Sequence, residues 1–107
     1  MTGSIKAILA LARAGATSRA WEALVASGLD SAAGDPKALT LKGRLLKDRA
    51  RQNSGEAAGS LYVQSARAYA DAAALRPDSY PLINAATMSL FAEQTEHMTQ
   101  LAQQVLT

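Results

Sequence analysis

The 107-residue sequence has no cysteine, a single histidine, and no apolar run near the roughly 18 residues that a membrane span needs. Without cysteine there is no disulfide, no thiolate nucleophile and no thiolate zinc site. His97 alone cannot build a common transition-metal site. Gly55 and Gly59 lack the Lys-Ser/Thr pair of a phosphate loop, and no serine sits in a nucleophile elbow. We therefore expect a cytoplasmic protein that is not an enzyme and uses no cofactor or metal.

Aromatic residues are also scarce, at 5% of the chain, whereas 49% of the residues are hydrophobic and many of these are alanine. Alanine is the best helix former because it loses no side-chain entropy on folding. Valine, isoleucine and threonine never alternate with polar residues over the length of a strand. The composition predicts an all-α fold in which small side chains let helices approach closely.

Capping and turn residues divide the chain into six predicted helices. Ser4 is a candidate cap for the first helix, and Asp35-Pro36 is a strong start for the third. Gln94-Thr95 is read as a short turn before a last helix. Short connections make neighbouring helices antiparallel, so we expect one domain of three hairpins. The helices are expected near 4–14, 17–27, 36–51, 56–75, 81–93 and 96–107, and the hairpins near 4–28, 35–75 and 80–107.

The second hairpin carries the pattern of a helical repeat. Its first helix has large, small and large residues at Leu39, Gly43 and Leu46, and its second ends with Tyr69, Ala72 and Pro77. This spacing resembles the tetratricopeptide repeat (TPR), a 34-residue helix pair. The first and third hairpins match more loosely. The resemblance implies three hairpins stacked as a right-handed solenoid.

Two local segments narrow the resemblance. Residues 41–48 read Leu-Lys-Gly-Arg-Leu-Leu-Lys-Asp, and residues 80–87 read Tyr-Pro-Leu-Ile-Asn-Ala-Ala-Thr. They resemble the TPR region of apoptosis signal-regulating kinases and sensor-type TPR domains found beside bacterial effector domains. The resemblance implies a sensor module, and in the bacterial group a nucleotide-derived signal.

Charge is concentrated in the third helix. Residues 37–51 have a net charge of +5, whereas the whole chain has +2. At about 100° per residue, Lys37, Arg44, Lys47 and Arg51 share one stripe with Asp48. Leu39, Gly43, Leu46 and Ala50 occupy the opposite side. In TPR proteins the first helix of each pair lines the concave face, and counting from Gly43 selects the same stripe.

We therefore predict a ligand site on the concave face. Arg44 would grip a phosphate or carboxylate through its planar fork, and Lys47 would add a point charge. Asp48 would orient Arg44, and neutral side chains would add hydrogen bonds. The alternative is a solvated face in which Arg44 and Asp48 form an ordinary i,i+4 pair. The predicted binding residues are Lys37, Thr40, Arg44, Lys47, Asp48, Asn84 and Thr87.

Five other residues are predicted to pack. Gly43 and Ala86 are the small residues at helix crossings, and Tyr69 and Ala72 match the aromatic and alanine positions of the repeat's second helix. Trp21 is expected in the core, with an exposed anchor for a partner as its alternative.

Three functions remain open from the sequence. The first is a TPR-type binding or sensor module that recognises an anionic ligand or an acidic peptide or protein. The second is a structural assembly module that dimerises through its last helix, which stays apolar on one face and has no polar cap. The uncapped end also fits the N-terminal part of a longer protein with a fused effector domain. The third is nucleic-acid binding through the basic helix 37–51, which the scarcity of aromatics disfavours.

Overall fold

The computed structural model describes residues 2–32, 34–75 and 79–106, and these form α-helices joined by short turns. The helices are α1 (Thr2–Arg13), α2 (Thr17–Ala26), α3 (Pro36–Arg51), α4 (Gly55–Leu75) and α5 (Ser79–Leu106), with a 3₁₀ turn at Leu29–Ser31. The described residues contain no strand, so the all-α prediction is confirmed. None of the described helices is long and apolar enough to cross a membrane.

The start of α3 follows directly from its sequence. The carboxylate of Asp35 accepts hydrogen bonds from the backbone N–H groups of Lys37 and Ala38, at 3.0 and 3.4 Å. Pro36 occupies the first turn, where no N–H is needed. Gly15 and Gly28 follow α1 and α2 with φ values of 81° and 75°, a region that favours glycine. The predicted cap at Ser4 is wrong, because α1 already begins at Thr2.

Two hydrophobic clusters form the core, and different helices contribute to them. The first joins α1, α2 and α3 through Ile8, Leu24 and Leu45, with Trp21 packed at its edge. The second lies between α4 and α5 and contains Tyr69, Ala85 and Met88. The side of α3 predicted to be buried is buried, including Leu39, Gly43, Leu46 and Ala50.

The close approach of α3 to α4 depends on Gly43. A Cβ atom at this position would lie 2.9 Å from two ring carbons of Tyr69, which is shorter than any tolerated contact. The buried Ser65 hydroxyl donates a hydrogen bond of 2.6 Å to the Gly43 carbonyl from the same side. A fully buried tyrosine and a serine of α4 therefore hold the backbone of α3 directly.

The third predicted hairpin is wrong for the described residues, because α5 continues unbroken through Gln94 and Thr95. Neither residue forces a break, and the Thr95 hydroxyl donates to the Phe91 carbonyl one turn earlier, at 2.8 Å, so it does not cap a new helix. Ala86, expected to pack, is exposed. Both outcomes share a cause, since none of the described helices folds back over that side of α5.

An open groove lies between α4 and the unbroken helix α5. Gly59 of α4 approaches the Thr95 side chain, and Tyr69 belongs to the same cluster as Ala85, so the two helices run antiparallel. The groove has a volume of about 700 Å³, and no residue of α1, α2 or α3 lines it. We call this cavity the α4/α5 groove.

Candidate functional site

Four cations lie along the outer side of α3. Lys37 and Arg51 are exposed, and Arg44 and Lys47 are half-buried. We call Lys37, Arg44, Lys47 and Arg51 the basic stripe. Successive members are seven, three and four residues apart, which is two turns or one turn, so they share a surface, while the opposite side of the helix is buried against α4.

The other two cations of α3 are engaged elsewhere. The Lys42 ammonium donates to the Asp30 carbonyl at 2.9 Å and holds the 3₁₀ turn against α3. The Arg49 guanidinium lies over the Trp21 ring, 4.6 Å from its centroid, which is the geometry of a cation–π contact. The local net charge of +5 therefore overstates what is available to a ligand, and the basic stripe is the available part.

Arg44 is only loosely paired. Its Nε lies 3.9 Å from Oδ2 of Asp48, beyond hydrogen-bonding distance. A partly exposed i,i+4 pair of this kind is worth a few tenths of a kcal/mol. Within the part of the chain that the structure describes, Lys37, Lys47 and Arg51 form no ion pair. The single carboxylate leaves most of the positive charge of the stripe unbalanced.

Within the basic stripe, Lys47 has a lowered pKa. Burial lowers the pKa of its ammonium, and the neighbouring charges of Arg51 and Arg44 lower it further, while Asp48 opposes them. Arg44 and Arg51 are thus close enough to Lys47 to disfavour its charge. A bound anion would relieve that repulsion.

A pocket adjoins the end of the stripe. It has a volume of about 510 Å³ and is lined by Arg51, the turn after α3, Tyr62 of α4 and Thr95 of α5. The Tyr62 and Phe91 rings meet edge to face, with centroids 5.5 Å apart, so Tyr62 is fixed in place. Sequence reasoning missed this pocket because the expected turn at Gln94-Thr95 moves Thr95 away. Arg51 was placed on the stripe but not selected as a binding residue.

The neutral residues of the predicted site contribute less than expected. The Thr40 hydroxyl donates to the Pro36 carbonyl at 2.8 Å, and the Thr87 hydroxyl donates to the Ile83 carbonyl at 2.9 Å. In this arrangement each hydroxyl presents acceptors, which an anion does not need. Asn84 is half-buried one residue before Ala85 of the α4–α5 cluster. Their part in binding stays a prediction.

No metal centre accompanies the stripe within residues 2–32, 34–75 and 79–106, where no three potential metal ligands of the His, Cys, Asp or Glu type come together. What the arrangement offers is fixed positive charge beside a concave, partly aromatic surface. That chemistry suits binding and orientation of an anion.

Comparison with known proteins identifies the family of this chain. No curated protein and no solved structure matches the chain. The model of the Tetratricopeptide Repeats-Sensor family, TPR-S, matches residues 5–89, which is most of the sequence. The TPR resemblance of the second hairpin lies inside this match, and the protein therefore belongs to the TPR-S family.

Proposed function

We propose that the protein is a non-catalytic sensor module that binds an anionic ligand at the basic stripe of α3. The observation that carries the proposal is the grouping of four cations on one surface of α3, where the one ion pair in the described residues is the loose contact of Arg44 with Asp48 at 3.9 Å. An anion placed between them gains charge-assisted hydrogen bonds, each worth about 1.5–3 kcal/mol. The family supports a sensing or interaction role.

The pocket at Arg51 favours a ligand that is more than a bare anion. A phosphate on Lys47 and Arg51 would leave the rest of a ligand facing Tyr62 in a space of about 510 Å³. That volume lies in the range of small-molecule sites. A nucleotide-derived ligand fits this combination of charge and aromatic wall, and an acidic peptide would use the charge alone.

Charge reversal tests the proposal with ADP and a hexaglutamate peptide as probes. Lys47→Glu and Arg44→Glu, separately and combined, reverse one or two of the four charges of the basic stripe, and Arg19→Glu makes the same charge change as either single variant on the exposed side of α2. We expect the double variant to lose about 100-fold in affinity by calorimetry, since each lost contact is worth at least about tenfold. Arg19→Glu should bind normally.

Two results would count against the proposal. Equal affinities of the double variant and Arg19→Glu for both probes would exclude the stripe. A salt-steep affinity for duplex DNA, with neither small probe binding, would favour the nucleic-acid function instead. Because the pKa of Lys47 is lowered, its contribution should fade at a lower pH than that of an ordinary lysine, whose charge persists to about pH 10.

The assembly function has separate support in the uncovered surface along α5. Ile83 and Leu90 are 62% and 51% exposed, although both are large and apolar. Exposed apolar surface of this kind marks interaction sites when it is contiguous. Sedimentation velocity of the intact chain tests association directly, and a monomer at every concentration would reject it.

A further inference from the structure

The α4/α5 groove and the outer side of α1 differ in charge, shape and position. The groove is concave and acidic, whereas the α1 surface is convex and basic. They involve different helices, because α1 packs against α2 and α3 while the groove is formed by α4 and α5 alone. Neither surface includes a residue of the basic stripe.

The groove has an apolar floor and an acidic rim. Ala66, Ala70, Ala85 and Ala92 are among the small residues that line it, and Val63 on its wall is 45% exposed. The carboxylates of Glu56, Glu93 and Glu96 line its rim, together with Arg67. Small floor residues allow a helix to approach near the lower limit of about 8 Å between axes.

The outer side of α1 is complementary to the groove in charge and in shape. Lys6, Ala7, Ala10 and Arg13 are all exposed and lie along one face of the helix. The α1 segment contains two cations and no acidic residue. Its exposed alanines form a narrow ridge, and the cations stand about 10 Å apart along the axis, from a rise of about 1.5 Å per residue.

We propose that copies of this chain associate head to tail, with the outer side of α1 from one copy seated in the α4/α5 groove of the next. Charge complementarity selects this occupant, because Lys6 and Arg13 would face a lining in which three carboxylates outnumber one cation, Arg67. The interface uses different surfaces on the two partners, so association does not stop at a two-fold dimer and adds further copies, with a ring as the end point only if the rotation between copies closes.

Sedimentation velocity of the full chain tests the proposal. The wild-type mass should grow steadily with protein concentration and should fall as salt is raised, since the rim charges are screened. A monomer throughout the concentration series would overturn the proposal. So would a plateau at the dimer, which indicates a two-fold interface.

Two variants block opposite ends of the proposed contact. Lys6→Glu combined with Arg13→Glu makes the α1 surface repel the groove, and Ser89→Trp fills the groove from an exposed lining position. Each variant alone should be monomeric, with association weakened at least about tenfold. Far-UV circular dichroism checks that each is folded, and Glu93→Gln with Glu96→Gln gives a second, milder groove variant with the same expected direction.

Mixing the blocked variants gives the decisive result. One variant retains an intact groove and the other an intact α1 surface, so the mixture should form a 1:1 dimer that grows no further. The combined Arg44→Glu and Lys47→Glu variant should assemble like wild type. A mixture that stays monomeric, or a double charge reversal on α1 that still associates, would exclude the head-to-tail contact.

Discussion

The two sides of α3 are packed by different kinds of residue. Toward α1 and α2, several aliphatic side chains share the contact, among them Ile8, Leu24 and Leu45. Toward α4, Leu39 and Leu46 are also buried, but at the closest approach a tyrosine ring lies on a glycine with a buried hydroxyl beside it. Aliphatic cores tolerate volume-conserving changes because many atoms share the adjustment. A ring on bare backbone leaves no such freedom, so the second side should be more sensitive to small changes.

The largest expected effect follows from removing that ring. Tyr69→Ala should lower the free energy of unfolding by about 3–5 kcal/mol, because it empties the site that joins α3 and α4. Urea denaturation measures the loss. Hydrogen exchange should show α4 and α5 losing protection before α1 and α2. Equal loss in all five helices would mean that the two sides of α3 unfold as one unit.

An intermediate effect is expected from one added methyl group. Gly43→Ala should destabilise by about 1–2 kcal/mol, although alanine is the better helix former by about 1 kcal/mol, because its Cβ meets the Tyr69 ring. Gly59→Ala in α4 is the matched control. Its Cβ would meet the Thr95 side chain at 3.6 Å and 3.9 Å, which is ordinary van der Waals contact, so thermal unfolding should show a gain of up to about 1 kcal/mol. Losses of equal size at both glycines would contradict the proposed role of the Gly43–Tyr69 contact.

The smallest effect is expected at the contact between Arg49 and Trp21, at the edge of the cluster that joins α1, α2 and α3. Arg49→Gln removes the cation from the Trp21 ring and should cost about 0.5–1 kcal/mol. Arg44→Gln removes a loose ion pair and should cost almost nothing. Chemical denaturation of both variants makes the comparison. Similar costs would show that the stack at Trp21 contributes no more than a surface charge pair.

Local signals in the sequence were enough for much of α3. Asp35 and Pro36 specify its start, and the spacing of Leu39, Gly43 and Leu46 predicts its buried side. The start and the buried side of α3 are both encoded by residues close together in the chain, so they can be predicted without knowing the tertiary fold. The same holds for α4, whose predicted bounds differ from the structure by one residue.

Local sequence signals did not predict that α5 is unbroken, nor which cations of α3 remain accessible. Thr95 is as compatible with a cap as with a helix interior, and its bond to Phe91 decides between them only in the folded chain. The sequence also places six cations on one helix without showing that Lys42 is bound to the Asp30 carbonyl and Arg49 to Trp21. Those partners lie far away along the chain, so the composition of the basic stripe depends on tertiary contacts.

The stack of Arg49 on Trp21 has a practical consequence. Trp21 is the only tryptophan of the chain, so the ultraviolet emission of the protein comes chiefly from one indole at the junction of α2 and α3. A guanidinium over that indole alters its emission, and separation of the two helices would remove the cation and admit water. Trp21 is thus an intrinsic fluorescence probe beside the helix that carries the basic stripe. Its emission during a ligand titration of the unlabelled chain would report whether binding at the stripe changes the packing of α3 against α2.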